Sequence, residues 1–279
     1  MEHHPCFNKE AHEHMGRIHL PVAPRCNIQC AYCERKICAN LTMQHPGWSH
    51  KLISPEEALE LVHASVRSHP MDHKDNSYPF VVGVAGPGDP LENTDTFKTL
   101  DLIHRHYPNL TTCISTNGLL LAEKLPQLID IGVTALTVTV NAWHREVARQ
   151  IYRWIRYRGI TYRDLDAADI LISNQMKGIG AVIDAGLSLK VNSVLIPGVN
   201  DKHMLPLARQ LKDMGVNLMN IVPLMPSGEM KHHEAPDCDE LRTIRLACED
   251  ILPQFWWCKQ CSADIVHFPP GNHLKNAYA

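Results

Sequence analysis

A chain of 279 residues is long enough for one large domain or two small ones, and it can bury roughly 70–75% of the surface its unfolded form exposes. Its formal charge of −3 gives no basic excess for nucleic acid, and no apolar run reaches the ~18 residues of a membrane span, so neither partner is expected. The polar, His-rich start carries no signal-peptide pattern, which places the chain in the cytoplasm, where thiols stay reduced and clustered cysteines read as metal or catalytic sites.

Strand and helix signals alternate along the sequence. Residues 17–23 (RIHLPVA) read as a strand entering a cysteine-rich loop. Ser54-Pro55-Glu56-Glu57 is a capping box with proline at the first helical position, and it opens a helix to about Ser68. A short apolar strand over 80–84 precedes a glycine loop and a helix over 94–106. A third strand spans 110–115, followed by Asn117-Gly118 and a helix near 122–131. The β-branched run 135–140 (ALTVTV) is the fourth strand. After it we expect a long helical region, broken at Gly159 and continuing to about Ala185. A fifth strand over 187–195, a helix over 203–214, a sixth strand over 217–222 and a last helix over 237–251 complete the pattern.

Strands separated by helices imply right-handed βαβ units and a parallel sheet. Six units fall short of a closed eight-fold barrel, so the expected fold is α/β, a partial (β/α)6 TIM-like barrel with its ligand loops at the strand C-terminal ends. The chain 1–279 reads as a single domain: an N-terminal extension (1–16), the barrel (17–252) and a C-terminal tail (253–279). No repeat or linker divides it.

The ten cysteines and eighteen histidines are the outlying numbers. About half of the cysteines are expected to be inert core residues, Cys248 in the last helix among them. Cys26-Asn-Ile-Gln-Cys30-Ala-Tyr-Cys33 is different, a C-x-x-x-C-x-x-C spacing with an aromatic residue before the last cysteine. Three thiolates ligate three irons of a 4Fe-4S cube and leave the fourth open to a substrate, here the amine and carboxylate of S-adenosylmethionine (SAM). Ferredoxin runs and zinc knuckles use other spacings. On this motif, directly after a first strand, the chain resembles the radical SAM superfamily. Electron transfer into the SAM sulfonium then yields methionine and a 5′-deoxyadenosyl radical.

That resemblance extends to other loops. Gly86-Pro-Gly-Asp-Pro90 looks like the superfamily's Gly-Gly-Glu-Pro motif, in which Gly86 and Gly88 let backbone groups approach the SAM amine. Asp89 departs from the usual Glu. The stretch 115–118 with Thr116, and 137–141 with Thr139, resemble positions that contact the SAM carboxylate and ribose. Residues 194–200 (VLIPGVN) look like the adenine-binding strand end, with Tyr32 beside the adenine.

Five further cysteines need an account. Cys258-Lys-Gln-Cys261 is a spacing suited to two ligands of one metal centre, Cys113 lies on the third strand, Cys38 follows the first cysteine loop and Cys6 precedes the first strand. The stretches HPCFNKEAH, GRIHLPVAPRCNIQCAYCERK, GVAGPGDPLEN, STNGLLL and CKQCSAD resemble the NifB family of nitrogenase cofactor maturases across essentially the whole chain, in the short form without a NifX-like carrier domain.

The resemblance implies an enzyme of nitrogen fixation, a lyase-type carbide synthase. It carries the SAM cluster and fuses two further 4Fe-4S clusters, three in all, into an eight-iron precursor with a central carbide. One SAM methylates a cluster sulfide, a second supplies the radical that abstracts hydrogen from that methyl group, and a ninth sulfur comes from outside. Cys6, Cys38, Cys113, Cys258 and Cys261 become the candidate auxiliary ligands, with His4 or His19 as a possible completing ligand. Five thiolates do not fill two cubes, which suits clusters that must leave. Partners implied are an iron–sulfur cluster donor, an electron donor such as a ferredoxin, and a downstream cofactor carrier or scaffold. Two alternatives stand beside this reading: another radical SAM enzyme with auxiliary clusters and an organic substrate, and a non-enzymatic iron–sulfur scaffold.

Overall fold

The computed structural model describes residues 3–42, 45–72, 74 and 76–269. A short helix α1 (Lys9–His14), capped by the Asn8 side chain, leads into strand β1 (Gly16–His19). The cysteine-rich segment after it holds three short strands, β2 (Ile28–Cys30), β3 (Lys36–Ile37) and β4 (Trp48–Ser49). Helix and strand then alternate through α2 (Pro55–Ser68), β5 (Phe80–Val84), α3 (Thr94–His106), β6 (Thr112–Thr116), α4 (Leu121–Asp130) and β7 (Val133–Thr139). Next come α5 (Arg145–Ile151), a hairpin of β8 (Tyr152–Tyr157) and β9 (Ile160–Tyr162), and α6 (Asp164–Asp184). The chain finishes with β10 (Ser188–Leu195), α7 (Met204–Asp213), β11 (Met219–Pro223), α8 (Cys238–Glu249) and β12 (Val266–His267).

The main sheet runs β11-β10-β7-β6-β5-β1-β12, and every pair except β1–β12 is parallel. The six parallel strands are the six expected units, curled into a half-barrel. A fully buried strand such as β5 needs apolar residues on both faces, and FVVGV supplies them. The helices lay their apolar stripes on the outside of this sheet, giving a core built on Ile18, Val82, Leu100, Ile114, Leu136 and Val191. The α2 capping box forms as written in the sequence, with Ser54 accepting from Glu57 N and the Glu57 carboxylate accepting from Ser54 N.

Two expectations need correction. The region after β7 is not one broken helix, because the hairpin β8–β9 separates α5 from α6. YRWIRY and ITY are aromatic and β-branched, and Arg158 (φ 51°) and Gly159 (φ 79°) make the left-handed two-residue turn that suits a hairpin. The hairpin pairs with β2 and so braces the first cysteine loop. The first strand is also shorter than 17–23, since Pro21 and Pro24 remove the ladder donors beyond it.

Among the described residues no helix is long and apolar enough to cross a membrane. The tail after α8 packs back on the sheet: Phe255 N donates to Met219 O, and β12 covers the free edge of β1.

Candidate functional site

The loop after β1 carries Cys26, Cys30 and Cys33 to the C-terminal ends of the strands. Its shape is fixed by many local bonds. Arg156 N donates to Asn27 O, Ala31 N to Ile151 O, and the Gln29 side chain to the carbonyls of Cys30 and Cys33. Gly228, in the left-handed region, presses against the carbonyls of Ala31 and Cys33, where a Cβ would come within 2.9 Å and 3.1 Å. Tyr32 hydroxyl accepts from Asn141 Nδ2 (2.8 Å), which anchors it to the end of β7.

The glycine loop is bolted to the start of this cysteine loop. Gly88 N donates to Ala23 O and Asp89 N to Arg25 O, and a Cβ on Gly88 would lie 2.1 Å from Arg25 O. No other residue fits there without moving the cysteine loop. Asp89 is buried at the cavity wall. Its carboxylate accepts from Leu91 N (3.0 Å), Thr116 Oγ1 (2.9 Å) and Asn117 N (2.6 Å). It therefore knots the glycine loop to the end of β6. Burial raises its pKa to about 6 against the opposing pull of those donors. Asn117 in turn reaches Asn27 Oδ1 (2.7 Å) and Cys26 Sγ (3.8 Å).

One cavity of about 1600 Å³, its open mouth included, is lined by seven cysteines: Cys6, Cys26, Cys30, Cys33, Cys113, Cys258 and Cys261. The first cysteine loop, Tyr32, Gly88, Thr116 and Thr139 form one part of the wall. Deeper along the strands, Cys113 of β6 projects over Gly83 of β5, next to His19 of β1. A Cβ on Gly83 would fall 2.8 Å from Cys113 Sγ and 3.6 Å from His19 Cδ2, so glycine keeps this floor open. Cys6 and His4 from the N-terminal extension, and Cys258, Gln260 and Cys261 from the tail, complete the deeper part.

Several contacts hold the tail there. His19 Nδ1 donates to Ser262 O (3.0 Å), and Ala263 N donates to Trp48 O. The Asp264 carboxylate, almost fully buried, accepts from His50 N (2.6 Å) and faces His50 Nδ1 (2.8 Å).

The thiols are desolvated by burial. Burial raises the Cys26 thiol to about 12, with nearby Asp89 adding to the shift. Burial likewise raises Cys6, Cys30, Cys33, Cys113 and Cys261. A bound metal reverses this balance by taking the thiolate form outright. Burial lowers His19 to about 4 and His4 to about 3, so both imidazoles are neutral near pH 7. Their tautomers differ. His19 uses its Nδ1 hydrogen on Ser262 and keeps Nε2 as an acceptor, the pattern of a metal-binding histidine. His4 Nδ1 accepts from Cys6 N, which puts the hydrogen on a partnerless Nε2.

Among the described residues no three His, Cys, Asp or Glu side chains converge tightly enough for a single ion. A cube differs from an ion in spreading its ligands over separate corners, so a cluster does not require that convergence. Cys38 is not brought to the cavity; its backbone N–H is tied to Ser49 O on the far side of β3. Gly86 shapes the glycine loop without lining the cavity. Cys248, within α8, is buried, as expected of a core thiol. The sequence reading missed Arg17, Gly83 and Lys190. A charged residue at an inward position of an otherwise apolar parallel strand, as in LSLKVNSVL, is the signal that points to Lys190.

The radical SAM superfamily model matches residues 20–211. The FeMo cofactor biosynthesis protein NifB of Methanocaldococcus jannaschii is 42% identical over 263 residues, which cover 94% of this chain and 85% of that protein. Its counterpart in Klebsiella pneumoniae is 41% identical over 271 residues, covering 94% of this chain and 56% of that protein. Among solved structures, a radical SAM methyltransferase from Sphaerobacter thermophilus matches with a TM-score of 0.54 at 18% identity, covering 86% of this chain and 64% of its own. Streptococcus suis SuiB bound to S-adenosylmethionine gives 0.55 at 12% identity, covering 85% and 48% respectively. Those two likenesses speak for the fold alone.

Proposed function

The chain belongs to the radical SAM superfamily and, within it, to the NifB family, and from that premise we propose that it makes the carbide-centred eight-iron precursor of the nitrogenase cofactor. A radical SAM enzyme uses a 4Fe-4S cluster with SAM, and together these supply one-electron cleavage of the sulfonium to a 5′-deoxyadenosyl radical. The observation that carries the finer reading is that seven cysteines from separate parts of the chain line one cavity. An enzyme acting on an organic substrate with its SAM cluster alone needs three.

In this reading Cys26, Cys30 and Cys33 hold the SAM cluster. Gly88, through its lack of a side chain, seats the glycine loop against the cysteine loop, where its backbone groups would meet SAM. Thr116, Thr139 and Tyr32 orient SAM against the cysteine loop, Tyr32 being fixed by Asn141. Asp89 acts one step back, holding the glycine loop on β6. Cys6, Cys113, Cys258 and Cys261 receive the two clusters that are the substrate, which makes three cubes in all. His19 is favoured over His4 as a completing ligand, because its Nε2 keeps a lone pair. Incomplete ligation suits a substrate that must fuse and depart. One SAM methyl goes to a cluster sulfide and the radical then takes a hydrogen atom from it. An iron–sulfur donor, a ferredoxin-type reductant, an external source of the ninth sulfur and a downstream carrier or scaffold are the partners this requires.

The test is anaerobic reconstitution followed by iron counting and turnover with methyl-labelled SAM. About twelve irons per chain and label retained in the metal product support the proposal. About four irons, or label leaving only as methionine, would defeat it.

A further inference from the structure

Two cations lie buried beside the deeper cysteines. Arg17 is 4% exposed and Lys190 is 3% exposed. Among the described residues neither has a carboxylate partner in an ion pair. Lys190 Nζ donates to Cys6 O (2.8 Å) and sits over the rings of Phe7 and Phe255, at 5.3 Å and 5.0 Å from their centroids. Arg17 is inward-facing on β1, two residues from His19, whose imidazole holds Ser262 next to Cys261. Its Nε and Nη1 are buried without any hydrogen-bond partner.

A buried guanidinium with two orphaned nitrogens is costly, and a second buried cation, Lys190 on the cavity wall, adds to the cost. Natural proteins keep such groups where a negative charge arrives to meet them. The Asp89 carboxylate at the glycine loop is taken up by Leu91, Thr116 and Asn117; the deeper part of the cavity offers the thiols of Cys6, Cys113, Cys258 and Cys261. These become negative when they bind iron, and Arg17 and Lys190 are the cations whose fields fall on them. Lys190 lines the cavity with Cys6 and Cys113 and bonds the Cys6 carbonyl, and Arg17 lies on the strand against which the tail carrying Cys261 docks. The first cysteine loop has a different cation, Arg35, which lines the cavity beside Cys26, Cys30 and Cys33 and donates to Gln29 Oε1.

We propose that Arg17 and Lys190 are positioning residues for the auxiliary iron–sulfur substrate, two buried cations that hold its negative charge against Cys6, Cys113, Cys258 and Cys261. This rests on the reading of those cysteines given above. Lys190 has a second part in it, since its bond to Cys6 O ties the N-terminal extension to the barrel floor. Neither residue needs to touch iron. Each acts through the cysteines, by lowering the cost of their thiolates and by making the clusters easier to reduce.

The test uses the full chain reconstituted anaerobically, with Arg17→Met, Arg17→Lys, Lys190→Met and Lys190→Arg beside wild type. Iron per chain is measured after gel filtration, and cluster midpoint potentials are followed by EPR. Wild type at about twelve irons establishes the auxiliary sites; wild type at about four defeats the functional reading before this inference is reached. Given twelve, each Met variant is expected to lose about four irons, or to keep them with an auxiliary potential shifted to more negative values. The SAM-cluster signal, next to Arg35, should keep its potential. The Lys and Arg exchanges should recover most of the loss, because they keep the charge. Full iron with unchanged auxiliary potentials in both Met variants would overturn the inference, and so would equal loss in the charge-keeping exchanges. If Arg17→Met does not fold, the Lys190 pair and Arg17→Lys carry the same comparison.

Discussion

Replacing Asp89 with alanine tests the knot between the glycine loop and β6. The substitution strands three buried donors, Leu91 N, Thr116 Oγ1 and Asn117 N. At about 1–2 kcal/mol each, their loss amounts to about 3–6 kcal/mol. Against this stands the burial of the charge itself. The carboxyl has its pKa raised to about 6, from 3.8, chiefly by desolvation. A group whose folded pKa is raised gives its full stabilisation below the unfolded value and loses it as pH climbs through the folded one. Across that window the wild-type advantage shrinks by about 3 kcal/mol in total, of which about 1.4 kcal/mol falls between about pH 5 and about pH 7.5. Asp89→Ala should therefore be less stable than wild type by several kcal/mol near pH 5, with the gap narrowing towards pH 7.5. Anaerobic urea titrations followed by tryptophan fluorescence measure it, and the difference between the two proteins cancels titrations they share. A gap that widens with rising pH would refute the reasoning, because it would mean the three donors hold the carboxylate ionised more strongly than burial opposes it.

Cys30→Ala should abolish SAM cleavage, whereas Cys258→Ala should still release 5′-deoxyadenosine after reduction but form no eight-iron product; wild-type product yield from Cys258→Ala would remove the tail from the auxiliary site. Gly83→Ala places a Cβ 2.8 Å from Cys113 Sγ, so it should cost about 1–3 kcal/mol of overpacking and lower the auxiliary iron content, as read by thermal melts and iron assay. Asp264→Ala removes the acceptor of His50 N and Ser262 Oγ, and limited proteolysis should then release the tail faster than from wild type. Desolvation acts to raise the Asp264 pKa, but the bonds from His50 and Ser262 outweigh it and lower it overall. Its contribution is therefore present above the ordinary aspartate pKa and lost on acidification below it, so the wild-type tail should loosen only in acid.

The six parallel strands were legible because each is a short apolar or β-branched run between helices, and that alternation has one compact solution. The hairpin β8–β9 was not read, since its Arg and Tyr residues recur at spacings a helix also tolerates; only the Arg158-Gly159 turn separates the two. Cys26, Cys30 and Cys33 were legible because their spacing is local. The deeper cysteines come from the N-terminal extension, β6 and the tail, and nothing in their spacing says that they share a cavity. Arg17 and Lys190 stayed hidden for a related reason. A charged residue in a strand reads as solvent-facing until the sheet curls and buries it.

The curl also explains why the tail matters. A half-barrel leaves the edge of β1 unpaired, and an open edge beside a cavity would expose both backbone donors and the cavity itself. Here β12 pairs with Arg17 and Ile18, on the same strand that carries His19. The segment leading into β12 delivers Cys258 and Cys261, and Ser262 O fixes the His19 tautomer on the way. Closing the edge, placing two thiols and setting a histidine lone pair are thus one event, achieved when the tail docks. Loss of tail contacts far from any cysteine, as at Asp264, should therefore weaken cluster retention as well as edge protection. The two should fall together across a series of tail substitutions when iron content is plotted against amide exchange of β1. Exchange that rises while iron stays full would separate the edge from the site.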